Sequence, residues 1–465
     1  MRNACLVMAL VAGLVPDLAR AQGTADAYFE FLMARRFESE GDNRAALAAL
    51  ERAAAADPAS AEIRAEMAAY YARRSQRPEA EKAAQAALAL DQNNVEANRV
   101  LGNLYASTVE ASTQQRPSPD TLKALELAIL HLERALAGQT GTDANLLYTL
   151  GRMYTRSGAT DKAVQVLTRV LGQNPNSMQG RLALAQAYSA ARDLKSAIAV
   201  LEEVIDEDPR VAEALGQYQE QSGLLAQAAA SYTLALQVQP TNRNLKFRRI
   251  AVLYNAGEYS RAAGFAGEAR KQHPEDVRFP QLQARSLFDA GDRSGALAVM
   301  ESTARAFPKD TSTQYALADL YSDAGRTQDA ERVLRQVLAA DPNNPNALNY
   351  LGYHLAVRGD QLDEAIRLVR RALDAEPNNA AYLDSLGWAH FRRGDLAEAE
   401  KYLGAAAQQL PDNSEIQDHL GDLLARRGRL DEAIAAWTRA LAGDGSDINR
   451  AAIEKKISDA QAKTR

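Results

Sequence analysis

Eight prolines set the terms on which this chain can fold. Pro175, Pro209, Pro240, Pro274, Pro308, Pro342, Pro377 and Pro411 follow one another at intervals of 34, 31, 34, 34, 34, 35 and 34 residues. Proline removes a backbone donor and restricts the residue before it, so each one ends whatever helix precedes it. A terminator recurring at that interval means one structural unit copied many times. Units of this length cannot bury an apolar face alone and must stack. A linear array also explains how 465 residues avoid the size limit of a single core.

The residues between the prolines repeat with them. Over 311–344, Leu317 and Ala318 are followed by Tyr321, Gly325, Ala330, Leu334, Val337 and Pro342. Over 380–413 the same places hold Leu386, Gly387, His390, Gly394, Ala399, Leu403, Ala406 and Pro411. Over 144–177 they hold Leu150, Gly151, Tyr154, Gly158, Ala163, Leu167, Val170 and Pro175. Apolar residues three and four apart form the stripe of an amphipathic helix, twice per unit. Small residues such as Gly151 and Gly387 let the first helix approach the second, and Ala163 and Ala399 offer the matching flat surface. Pairs such as Gly41-Asp42 and Gly394-Asp395 suit a left-handed helix end followed by a capping carboxylate.

This pattern resembles the tetratricopeptide repeat (TPR). The resemblance implies an all-α solenoid of helix-turn-helix units, wound as a right-handed superhelix. Twelve copies begin near Ala27, Ala61, Val95, Ala144, Met178, Ala212, Arg243, Val277, Thr311, Pro345, Ala380 and Ser414. They divide into an N-terminal array over 22–242 and a C-terminal array over 243–447, with a charged capping helix over 448–465. The third copy is interrupted near 110–121, either by a loop or by a lengthened helix ending in one. The sixth copy has a first helix about one turn short, with Gln219 in the tyrosine place. The seventh puts Arg249 where leucine is expected, so a bend between the arrays is expected here.

The first residues do not belong to the repeats. Arg2 precedes an apolar run from Ala4 to Val15, and Ala19-Arg20-Ala21 offers the small residues of a signal-peptidase site. Residues 1–21 therefore read as a cleaved signal peptide, because twelve apolar residues fall short of the roughly twenty that span a bilayer. The expected location is periplasmic and soluble. Cys5, the only cysteine, lies inside that signal, so no disulfide is expected. A net charge of -6, with both signs interspersed, argues against nucleic acid as a partner.

No catalytic constellation is apparent. His131, His273, His354, His390 and His419 fall in different repeats, outside any His-Glu-x-x-His pattern. There is no phosphate-binding Gly-x-x-x-x-Gly-Lys-Ser/Thr loop and no Gly-x-Ser-x-Gly elbow. The repeats leave no room for a separate catalytic domain. The chain is expected to be no enzyme and to need no cofactor or metal.

Within a first helix, places 4, 7, 8 and 11 pack internally, and places 2, 5, 9, 12 and 13 lie on another face. The family resemblance implies that this face lines a groove for an extended peptide or a partner's helix. Repeats three and four place Arg99, Asn103, Tyr148, Arg152 and Arg156 there. Repeats seven and eight place Asn244, Phe247, Tyr254, Arg278, Arg285 and Phe288. Repeats nine to eleven place Tyr315, Asn346, Asn349, Tyr353, Asp384, Trp388, Phe391 and Arg392. Aromatic and arginine side chains are common interface anchors. The same aromatics can equally pack between neighbouring first helices.

The stretches Asn346–Tyr353, Leu383–Trp388 and His419–Asp422 resemble a group of bacterial cell-envelope TPR proteins. That likeness implies a scaffold or adaptor of the envelope that binds proteins or peptides. One member type presents cell-wall hydrolases to a processing protease. A subunit for export or assembly of an exopolysaccharide or surface structure is the alternative reading.

Overall fold

A computed structural model describes residues 24–112, 116–138, 143–445 and 448–464. The expected signal segment and Cys5 lie outside the described residues. So do 113–115 of the third-repeat interruption. The described residues form 25 α-helices and no strand, arranged as a TPR solenoid.

Helix starts follow the repeat ladder. First helices begin at Ala61, Val95, Ala144, Met178, Ala212, Arg243, Arg278, Thr311, Pro345, Ala380 and Ser414. The reason is local chemistry at each start. Asn94, Asn344 and Asn413 accept from the amide three residues on, and Asn379 from those of Ala381 and Tyr382. Such a cap contributes about 1 kcal/mol. First helices end where the chain turns left-handed, as at Gly394 with φ 96°.

Packing within a repeat depends on missing side chains. A Cβ on Gly151 would sit 2.5 Å from Leu167 Cγ, and one on Gly421 only 2.4 Å from the Trp437 ring. In the second helices of these two repeats, Ala163 and Ala433 are fully buried. Large-to-small pairing of this kind brings the two helices close enough to exclude water.

The described residues form two compact units that divide between Leu245 and Lys246, inside helix Arg243–Asn255. In the first unit, the third repeat absorbs its interruption by lengthening both helices. Val95–Ala111 has 17 residues and Pro119–Ala137 has 19, against 13 and 14 in the preceding repeat. The second helix of repeat five shrinks to 9 residues, Leu194–Glu202, and the first helix of repeat six to 10, Ala212–Gln221. Gln219 is buried there and accepts from the Ser231 hydroxyl at 2.7 Å.

In the second unit, Arg249 lies in the leucine place with its guanidinium over the Phe265 ring at 3.7 Å. Helix Arg450–Thr464 packs on Leu430–Ala442, burying Ile453 and Ala460. Its Lys456 reaches Asp418 at 2.8 Å and Asp422 at 2.7 Å in the first helix of repeat twelve. It thus covers a face that a further repeat would otherwise cover.

Candidate partner-binding surfaces

Several neighbouring first helices pack directly on one another: Ala61–Arg73 on Val95–Ala111 and Ala144–Ser157 on Met178–Ala190 in the first unit, and Pro345–Arg358 on Ala380–Arg393 in the second. In repeats ten to twelve that face is drawn in tightly. The Tyr353 hydroxyl donates to Glu415, two repeats further on, which requires the first-helix face to curve inward there. This is the face on which the candidate residues were placed, and each can be followed to its surroundings.

The largest cluster joins repeats ten, eleven and twelve. Trp388 stacks on His419 with ring centroids 4.0 Å apart and on Phe391 at 5.0 Å. Tyr353 lies 6.4 Å from His419. Asp384, expected on the accessible face, is instead 4% exposed. Its carboxylate holds His419 Nδ1 at 2.9 Å, because the helix of repeat twelve presents that imidazole directly opposite. Burial alone would lower the pKa of His419, but Asp384, Glu415 and Asp418 together raise it above the ordinary histidine value of 6.5.

Two arginines have a structural use as well. Arg392 donates to the Val357 carbonyl at 2.6 Å, at the end of helix Pro345–Arg358. Arg426 donates to the Phe391 carbonyl at 3.2 Å, at the end of helix Ala380–Arg393. A cation at a helix C-terminus meets carbonyls that lack intrahelical donors. These arginines staple one repeat to the previous one while lying over Trp388 and Phe391.

The other candidates are similarly engaged. Tyr315 stacks on Tyr350 at 4.7 Å, and Asn346 accepts from the Tyr382 hydroxyl at 2.7 Å. Asn349 is half-buried, and its Oδ1 has no partner among the described residues. Arg285 pairs with Asp289 and Asp323, and Tyr254 donates to Asp289. Arg278 lies over Phe247 and pairs with Asp276, and Arg293 lies over Phe288. Asn244 is exposed.

In the first unit, Arg99 is held by Glu96, and Asn103 is exposed. Arg152 pairs with Glu110 at 3.0 Å and lies over Tyr148. Arg156 is exposed beside it. The two border a depression of about 340 Å³ with Met153, Thr155, Gln186, Ser189 and Ala190.

Sequence reasoning missed His419 and Glu415, the partners that organise the repeat ten-to-twelve cluster. A usable signal was present: an aspartate at place 5 of one repeat faces a histidine at place 6 of the next. The histidines elsewhere serve packing. His390 is 1% exposed and stacks on Tyr402, and His131 holds Asn98 at 2.8 Å. A depression of about 920 Å³, bordered by Pro308, Tyr321, Arg332 and Val337, opens between the second helices of repeats eight and nine and had no counterpart in the sequence reading. Among the described residues, no three or more His, Cys, Asp or Glu are placed to hold a metal ion, and no helix is long and apolar enough to cross a membrane.

Tetratricopeptide-repeat family models match residues 154–218, 287–352, 323–389 and 385–451. A TPR repeat-containing protein of Pseudomonas aeruginosa is 29% identical over 211 residues, covering 45% of this chain and 35% of that protein. Cellulose synthase operon protein C of Xanthomonas axonopodis pv. citri is 27% identical over 296 residues, 57% of this chain and 19% of that one. The chain thus spans little more than a third, or less, of the length of these relatives. Yeast Tom70 is similar in structure, with a TM-score of 0.45 at 15% identity, covering 94% of this chain and 96% of that one. A tetratricopeptide repeat protein from Parabacteroides merdae gives 0.44 at 16% identity, covering 56% and 98%. With the proline ladder, the paired helices and the matching family models, the chain is a member of the tetratricopeptide-repeat family.

Proposed function

We propose that this protein is a non-catalytic scaffold or adaptor of the bacterial cell envelope, exported to the periplasm, that holds partner proteins or peptides on its first-helix face. TPR proteins mediate protein–protein interaction, and the repeat fold is typically a non-catalytic scaffold. The observation that carries the reading is the inward curvature in the second unit. It brings half-exposed Tyr353, Trp388 and Phe391 together around His419, with exposed Val357 one turn beyond Tyr353 on its helix. A wall of aromatic rings stiffened by stacking, with polar groups at its edge, suits a guest chain at small entropic cost. The expected signal segment supports the envelope assignment.

One relative favours a second reading. Likeness to a cellulose synthase operon protein supports a role as a subunit in assembly or export of an exopolysaccharide. Delivery of cell-wall hydrolases to a periplasmic protease is a narrower form of the adaptor reading, resting on the resemblance of the C-terminal repeats.

The test is affinity capture from envelope fractions. Trp388 and Arg392 are poor positions to alter, since both hold repeats together. Val357, 47% exposed, is better, and Val357→Arg should abolish capture of one or more partners with helical content unchanged. Equal capture by both forms rejects the assignment. Polysaccharide synthases or hydrolases among the captured proteins separate the readings.

A further inference from the structure

The arginines expected on the first-helix face differ in one respect. Arg99, Arg152, Arg278 and Arg285 each pair with a carboxylate, and Arg392 bonds a carbonyl. Arg156 has no hydrogen bond, ion pair or ring partner among the described residues. It stands one turn beyond Arg152, so two guanidiniums share one helix face. The depression they border holds two amide or hydroxyl side chains from repeat five, Gln186 and Ser189, and no carboxylate.

We infer that this depression, between the first helices of repeats four and five, binds an acidic side chain of an extended peptide, and that Glu110 is an internal competitor for it. The inference rests on the reading that this face receives peptides, and it adds the chemistry of the guest. Guanidinium forks match the geometry of a carboxylate, and hydroxyl and amide donors can complete its hydrogen bonds. The occupant is an internal Asp or Glu because the two arginines lie one turn apart along the helix, so a chain running along that face meets both.

The interruption in repeat three supplies the competitor. Helix Ala61–Arg73 has 13 residues, whereas Val95–Ala111 has 17, and Glu110 lies in the added turn. Its carboxylate meets Arg152 at 3.0 Å with both side chains about one-third exposed. An exposed pair of this kind is weak enough to exchange for a partner's carboxylate. Glu110 thus holds Arg152 in place in the empty state and sets a threshold for the guest.

The probe is a fluorescein-labelled, C-terminally amidated peptide alternating Ser and Glu, measured by polarisation with the full chain. Controls replace Glu by Gln, with and without a free terminal carboxylate. Arg156→Gln should weaken the Glu peptide about threefold to fivefold, and Glu110→Gln should strengthen it by a similar factor. Neither change should move the Gln peptide. Arg156 touches no partner, so its replacement leaves the fold intact, and Arg156→Lys should restore part of the affinity. Equal affinity for Glu and Gln peptides overturns the inference while leaving peptide binding on this face standing. Binding only of the free-carboxylate peptide overturns it in favour of terminal recognition. Failure of every peptide overturns it too, and if photo-crosslinking then finds no partner on this face, the broader reading falls with it.

Discussion

Replacing Asp384 by Asn should destabilise the C-terminal repeats by an amount that depends on pH in a fixed direction. Asp384 and His419 are 4% and 7% exposed, with 2.9 Å between carboxylate and Nδ1. The groups facing the imidazole are Asp384 and Trp388 from repeat eleven, Tyr353 from repeat ten, and Glu415 and Asp418 from its own helix. The folded-state pKa of His419 is raised above 6.5, so the native state holds its proton more tightly than the unfolded chain does. The pair's contribution is therefore complete below the unfolded value and is lost as pH rises through the folded one. Removing one partner of a buried pair costs about 3–5 kcal/mol. Once His419 is neutral in both proteins, the difference shrinks towards one hydrogen bond, about 1 kcal/mol. The assay is urea unfolding from about pH 6 to about pH 9, followed by Trp388 emission. A Trp437→Phe background makes Trp388 the sole tryptophan, since the chain has 2. A local reporter is needed because repeat arrays unfold in stages. A difference that stays flat with pH, or grows as pH rises, refutes the assignment of a charged pair.

Three further outcomes follow from packing. Gly421→Ala should destabilise by about 1–3 kcal/mol, because its Cβ would press on Trp437 at 2.4 Å; thermal melts report it. Gly404→Ala should stabilise by about 0.5–1 kcal/mol, since nothing lies within 4 Å and the site is inside helix Leu396–Gln409. Truncation after Gly445 removes helix Arg450–Thr464 with its buried Ile453 and the Lys456 bridges, so Trp437 emission should shift to the red and the truncated chain should associate.

What could be read from the sequence was set by short-range chemistry. Proline spacing, the capping asparagines and the glycine–alanine contacts are written within one unit, so helix positions followed from them. Repeat six was also visible beforehand, in its short spacing and Gln219. Relations between units were not. Place numbers give the face of a helix a residue lies on, but not what the next repeat sets against it. The place number of Asp384 predicts an accessible side chain, but His419, 35 residues on, covers it. The place number of Arg392 predicts a partner anchor, but its guanidinium bonds the Val357 carbonyl of the preceding repeat. Arg152 and Arg156 looked equivalent, and they differ only because the lengthened helix of repeat three brings Glu110 to one of them.

The first-helix face as the partner surface is tested most directly by site-specific photo-crosslinking in the living cell. A photoreactive residue at Asn103 or Val357 lies on that face, and one at Arg169 or Gln336 is exposed on a second helix. Discrete crosslinked partners from Asn103 and Val357, with none from Arg169 and Gln336, are the predicted result. Partners crosslinked from the second-helix positions alone would contradict it.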